Sequence, residues 1–163
     1  QTRMGNQWYF GMKAHIGVGD EAGLVHHGEG TAANASDVTV AHRLLHGQEE
    51  TVCGDSGYTG LDKREEMQGK GDLGYLIAAK PSVLKQIKRK SGQKLARELE
   101  HAKASLRAKV EHPFRVIKRQ FGYTKVRYRG LVKNTAQVLT LFALSNLWMV
   151  RRPLLITVGK LRL

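Results

Sequence analysis

The sequence predicts an α/β fold that gives way, in its second half, to long basic helices. Three observations carry this expectation. Up to residue 79, short apolar runs and helical spacing follow the order strand, strand, helix, strand, helix, strand, which favours parallel pairing late in that stretch. From Leu95 an apolar stripe keeps helical spacing for about seven turns. Charge divides at the same place: residues 1–79 hold 6 Lys/Arg and 11 Asp/Glu, whereas residues 80–163 hold 21 and 3.

The elements follow from local patterning. Between Gln7 and Val18, the residues Trp8, Phe10, Met12, Ala14, Ile16 and Val18 alternate with others, the period of a strand buried on one face. Gly19 to Gly23 then turns the chain, and Leu24 to Glu29 returns as the second arm of a hairpin. Asn34 to Asp37 offers caps for a helix carrying Val38, Ala41, Leu44 and Leu45 up to Gly47. Thr51 to Gly54 reads as a buried strand ending at Asp55, Leu61 to Met67 as a short charged helix, and Tyr75 to Ala79 as a further strand ended by Pro81. The stripe Leu95, Leu99, Ala102, Leu106, Val110, Phe114, Ile117 and Phe121 predicts one long amphipathic helix, kinked or broken near His112 by Pro113. Gly122 ends it, Tyr123 to Gly130 makes a basic connection, and Asn134 to Arg152 forms a last apolar helix.

Composition narrows the class. With 163 residues and 41% hydrophobic content, the chain is long enough to bury its own core. Cys53 is the sole cysteine, so an internal disulfide is excluded, and a lone thiol fits a reducing cytoplasm. The apolar stretch Ala136 to Val150 is too short and too often interrupted by polar residues to span a bilayer. The net charge of +13 conceals −5 on residues 1–79 and +18 on residues 80–163. Such asymmetry attracts a polyanion, and nucleic acid is the expected partner. A chain that opens on Gln1 and runs at once into a strand-like segment reads as a piece of a longer frame.

Two acids draw attention. Asp55 stands at the carboxyl end of a buried strand, beside glycines that let backbone approach a ligand, which is where open α/β sheets place their sites; the alternative is an Asp that merely caps a turn. Glu111 is one of three acids in the basic half, and Arg107, Glu111 and Lys118 share a helix face at i, i+4 and i+11. The plain alternative is a solvated ion-pair row. Asp20 and Asp37 read as turn and helix-start residues and Cys53 as core; a metal cluster of His15, His26 and His27 is the weaker reading, since adjacent histidines on a strand point to opposite faces and no cysteine supports them.

Together these residues resemble a known family. Gly54-Asp55-Ser56-Gly57-Tyr58 is similar to the box around the second acid of insertion-sequence transposases with an Asp-Asp-Glu core. Arg107, Glu111 and Lys118 match the later part of their Tyr-x2-Arg-x3-Glu-x6-Lys signature, with Ala104 where tyrosine is expected. The runs from Gly5 to Lys13, Gly30 to Asn34 with Asp37, and Glu111 to Gly122 resemble the insertion-sequence-five group.

The resemblance implies a ribonuclease H-like mixed sheet with flanking helices, truncated at the N-terminus so that the first strand and its acid are missing. It implies that residues 1–152 form a partial transposase catalytic domain and residues 153–163 a C-terminal tail. Asp55 and Glu111 would be catalytic metal ligands for two Mg²⁺ ions, which brings their carboxylates within about 10 Å of each other. Arg107, Lys118, Arg115 and Arg119 would contact DNA. The implied activity is metal-dependent strand cleavage and strand transfer in the complete enzyme, with this chain inactive alone. The implied setting is a bacterial cytoplasm with nucleoid DNA as partner, no membrane, and a homodimer in the DNA complex. The competing readings are a non-catalytic basic nucleic-acid-binding module and a remnant without function.

Overall fold

A computed structural model describes the chain apart from Gln1, Gly5, Phe10 and residues 161–163, with backbone alone for residues 2–4, 8–9 and 158–160. The strands are β1 (Thr2–Met4), β2 (Gln7–Tyr9), β3 (Met12–Val18), β4 (Val25–Ala32), β5 (Thr51–Gly54) and β6 (Gly74–Ile77). The helices are α1 (Asp37–Val40), α2 (Pro81–Lys85), α3 (Lys90–Arg119) and α4 (Leu131–Lys160). The mixed α/β class is as the sequence predicts. The sheet is not one continuous layer: among the described residues there are three two-stranded sheets, β1 with β2, β3 with β4, and β5 with β6.

The chain divides into two compact units, residues 34–109 and residues 1–33 with 110–163. In the second of these, β3 and β4 form the expected antiparallel hairpin, with Met12 opposite Ala32 and an irregularity at Gly17 and Val18. Met12, Ala14 and Ile16 pack with Val25 on a core of Ile117, Val138 and Phe142, so the period-2 pattern of β3 does face apolar partners. On the opposite face His15 is buried, its Nε2 2.8 Å from Thr31 Oγ1. Asn146 fixes α4 to the hairpin: its side chain accepts from Val25 N at 2.9 Å and donates to Val25 O at 2.7 Å. The expected strand from Gln7 to Val18 is instead two strands, the first paired with β1 in a hairpin that the pattern did not show. The places of Trp8 and Phe10 in the alternation lie outside the described side chains.

In the unit of residues 34–109, β5 and β6 pair in parallel, with Thr51 opposite Gly74 and Gly54 opposite Ile77, as expected. The connection between them departs from expectation. The helix read over Leu61 to Met67 is two single 3₁₀ turns, Leu61–Lys63 and Glu65–Met67. Leu61 and Met67 are the inward-facing residues of this stretch, joined in the core by Ala41 and flanked by Val38, Leu45, Val52, Tyr58, Leu73 and Tyr75. A tight turn presents one side chain inward as well as a helix does, so spacing alone could not tell the two apart. The helix read from Asn34 to Gly47 is likewise short, α1 followed by the 3₁₀ turn Ala41–Arg43.

Two expectations about α3 are corrected in part or whole. Of the kink or break read near His112 the break is overturned, since the helix runs unbroken through Pro113, which is buried together with Val116 and Ile117. Its early apolar stripe does not face a core: Leu95 and Leu99 are 68% and 50% exposed. The half-buried residues of that stretch include Glu100, Lys103 and Arg107. The polar groups win because they have partners. Lys103 Nζ donates to Ile77 O at 2.8 Å and to Glu100 Oε1 at 2.9 Å, and Glu100 Oε2 accepts from Ala79 N at 3.2 Å. These bonds satisfy backbone groups at the carboxyl end of β6 that would otherwise be left open. The last helix is longer than read, continuing past Pro153 to Lys160. No helix among the described residues is long and apolar enough to cross a membrane.

Candidate functional site

Asp55 follows directly on β5, and its position comes from the turn it starts. Its Oδ1 accepts a hydrogen bond from Gly57 N at 2.8 Å, and its carbonyl accepts from Tyr58 N at 3.1 Å, so the side chain caps the 3₁₀ turn Ser56–Tyr58. The capping role is therefore real, yet the residue is exposed at the end of a parallel strand pair and keeps its carboxylate at the surface. Two glycines shape this corner. A Cβ on Gly57 would lie 2.9 Å from Asp55 Oδ1, and one on Gly54 would lie 3.0 Å from Tyr58 Cδ2 and 3.1 Å from Ile77 Cδ1. The Tyr58 ring thus lies against the backbone at the end of β5 because nothing projects from Gly54.

A further acid enters this corner. Asp37, in the first turn of α1, has Oδ2 3.9 Å from the point where a Gly57 side chain would begin. Burial, then the charges of Asp37 and Asp55, push the Tyr58 phenol up to about 12. Asp37 read from the sequence as a helix-start residue, which it is; that it also faces the Asp55 turn is a tertiary fact. The signal that could have found it is the run Gly30 to Asn34 with Asp37, which stands among the family-like motifs.

Glu111, Arg115, Lys118 and Arg119 occupy one face of α3 at i, i+4, i+7 and i+8. With Phe114 they line an open groove of about 390 Å³. The four charged side chains are exposed, and Phe114 forms the half-buried floor, held edge-to-face against Phe142 with ring centroids 5.1 Å apart. An acid among three bases at the mouth of a groove can hold a cation while its neighbours hold phosphate oxygens.

Arg107 stands apart from this group. It lies one helical turn before Glu111, is half-buried, and does not line the groove. Among the described residues its Nε has no hydrogen-bond partner, and its charge acts on Glu100. Burial raises the Glu100 carboxyl, but hydrogen bonds from Lys103 and the Ala79 amide, with the charges of Lys103 and Arg107, outweigh it and hold the group below the usual carboxylate range.

Thus Asp55 belongs to the unit of residues 34–109, together with Asp37 and Arg107, and Glu111 belongs to the other, together with Arg115, Lys118 and Arg119. No solved structure matches the chain. A family model described as Transposase DDE domain matches residues 1–147, nine-tenths of the sequence. The chain therefore belongs to the transposase DDE domain family.

Proposed function

We propose that the chain supplies part of the catalytic domain of an insertion-sequence transposase of ribonuclease H-like fold, with Asp55 and Glu111 as its metal-holding carboxylates. The observation that supports this best is the groove in which Glu111 is set among Arg115, Lys118 and Arg119. DNA is the substrate that the family implies, and the charge of +18 on residues 80–163 agrees with it.

The donor set suits Mg²⁺. Asp55 offers an exposed carboxylate, Asp37 adds a second beside it, and Glu111 offers another at its groove, all hard oxygen donors. When bound, two such ions activate a water or a 3′-hydroxyl and steady the leaving oxygen of a phosphodiester. The chain's own residues do the rest. Arg115, Lys118 and Arg119 hold the backbone phosphates near Glu111, the Gly57 amide orients Asp55, and Arg107 adds positive charge one turn before Glu111. A homodimer in the DNA complex is part of this reading.

The complete enzyme's reaction is strand cleavage and strand transfer, and the chain alone is inactive in our reading because no residue matches the family's first acid. The test is Mg²⁺-dependent nicking of end-containing DNA by the purified chain, with Asp55→Asn and Glu111→Ala beside it. No nicking alone, and nicking restored when an upstream segment bearing an acid is added in trans, is the expected result. Robust nicking by the chain alone, lost in both variants, would overturn the inactivity and make Asp37 the acid to examine. The second reading, a non-catalytic basic module, rests on the same charge and predicts DNA binding that neither Mg²⁺ nor Glu111→Ala affects.

A further inference from the structure

The connection between α3 and α4 is held at its ends and bare in its middle. After Gly122 ends α3, Tyr123 turns inward, its amide donating to Ile117 O at 3.0 Å and its side chain packed with the core of Ile117, Val138 and Phe142. At the other end Asn134, near the start of α4 and 5% exposed, directs its whole side chain at the loop. Its Oδ1 accepts from Tyr128 N at 3.1 Å, and its Nδ2 donates to Tyr128 O at 2.6 Å and to Gly130 O at 2.8 Å. Both backbone groups of residue 128 are therefore clamped, yet the residue is 53% exposed. Lys125, Val126, Arg127 and Arg129 beside it are exposed as well.

Two properties of this segment point to a ligand. One is charge: no acid follows Glu111 in the chain, and among the described residues Lys125, Arg127 and Arg129 form no ion pair. The other is Tyr128, the sole exposed aromatic among the described side chains. An aromatic ring in water among three bases has the make-up of a nucleic-acid strand site, with the cationic groups on phosphates and the ring on a base. An acidic peptide would engage the charges and leave the ring without a flat partner. A duplex would leave it so too, because stacked pairs cover the faces of every base and offer only edges and phosphates. The Asn134 clamp orders the loop in the free protein, so binding does not carry that ordering cost. We infer that Lys125 to Arg129 is a site for an unpaired stretch of DNA, one base stacked on Tyr128 and the flanking phosphates held by Lys125, Arg127 and Arg129. The inference rests on DNA as the substrate and goes further, naming the state of the strand and residues that lie outside the α3 groove.

Fluorescence anisotropy of the full chain with a labelled single strand of about 12 nucleotides, and with a duplex of the same length, tests the site without metal. Tyr128→Ala should weaken single-strand binding on the order of tenfold and leave duplex binding within about twofold. Tyr128→Phe keeps the ring and should match the unmodified chain on both. Arg127→Ala with Arg129→Ala should lower the single-strand slope of log affinity against log salt by about 1.4, about 0.7 for each contact removed. Unfolding should be unchanged in all of these, because the altered side chains are exposed and Asn134 bonds only to backbone. Single-strand affinity untouched by Tyr128→Ala, an equal loss on the duplex, or polyglutamate of equal charge displacing the strand as readily as DNA does would each overturn the site and leave DNA as the substrate. A matching RNA strand bound more tightly would overturn the assignment to DNA. Binding to neither single strand nor duplex would overturn the site and the substrate reading together.

Discussion

Asp37 and Asp55 face each other across Gly57: the point where a side chain on that glycine would begin lies 2.9 Å from Asp55 Oδ1 and 3.9 Å from Asp37 Oδ2. Two acids of like charge therefore flank one unsubstituted position, and Tyr58 lies close enough to feel both.

Gly57→Ala should disturb this corner specifically. The added methyl cannot coexist with the Asp55 carboxylate in its present place, so the hydrogen bond from residue 57 N to Oδ1 is lost or bent. Loss of a capping interaction of this kind costs about 0.5–2 kcal/mol. Thermal unfolding should shift down accordingly, whereas Gly60→Ala, which meets nothing within 4 Å but sits at φ +86°, tests backbone strain at a neighbouring position.

Tyr58 gives a signature in alkali. Its phenol titrates at about 12 in the fold, above the ordinary value near 10. The folded value is raised, so the stability this group contributes is present in full below about pH 10 and lost as pH rises towards 12. Burial also raises the Tyr123 phenol, so ultraviolet titration is read at the high end: an ionisation near pH 12 should be absent from Tyr58→Phe and moved towards lower pH in Asp37→Asn. A phenol that titrates with the others in the unmodified chain would contradict the placement.

The acid limb tests the docking of α3. Glu100 is held below the usual carboxylate range, so its contribution is present above about pH 4.3 and declines as pH falls through the folded value. The Glu100 and Lys103 side chains keep 18% and 12% exposure, and screening limits the pair to about 1 kcal/mol. Glu100→Gln should reduce the slope of unfolding free energy between pH 5 and 3, measured by urea titration, by an amount that Glu98→Gln, on a largely exposed side chain, does not match.

The groove on α3 should bind DNA through phosphate. Lys118→Ala with Arg119→Ala, both exposed, should leave unfolding unchanged and lower the slope of log affinity against log salt by about 1.8, about 0.9 for each contact removed. Affinity that does not vary with salt in the unmodified chain would refute a phosphate interface.

The core beneath the groove's floor can be tested by truncation. Phe142 is 2% exposed and meets Phe114 edge-to-face, so Phe142→Ala should cost about 3–5 kcal/mol in chemical denaturation. Phe114→Ala should cost less, since that ring is only half-buried.

Much of this protein was determined by local sequence. The β3–β4 hairpin follows from a period-2 run and a glycine-bounded turn, the parallel pair from short apolar runs, and the helical second half from 3.6-residue spacing. Asp55 at a strand end and the grouping of Glu111 with Lys118 on one helix face were legible too, because chain order and helix periodicity alone set them. What lay beyond sequence are the choices between local patterns of equal merit. Leu61 and Met67 could be served by a helix or by two tight turns, and packing chose the turns. Along α3 the apolar stripe competed with the row Glu100, Lys103 and Arg107, and the open backbone groups of Ile77 and Ala79 drew the polar row inward, leaving Leu95 and Leu99 in solvent. Asp37 met the Asp55 turn for the same kind of reason: a residue 18 positions away becomes a neighbour only when the core of Ala41, Leu61 and Met67 closes between them. Periodicity fixes which face a residue occupies, and only the partners available across space decide which face is buried.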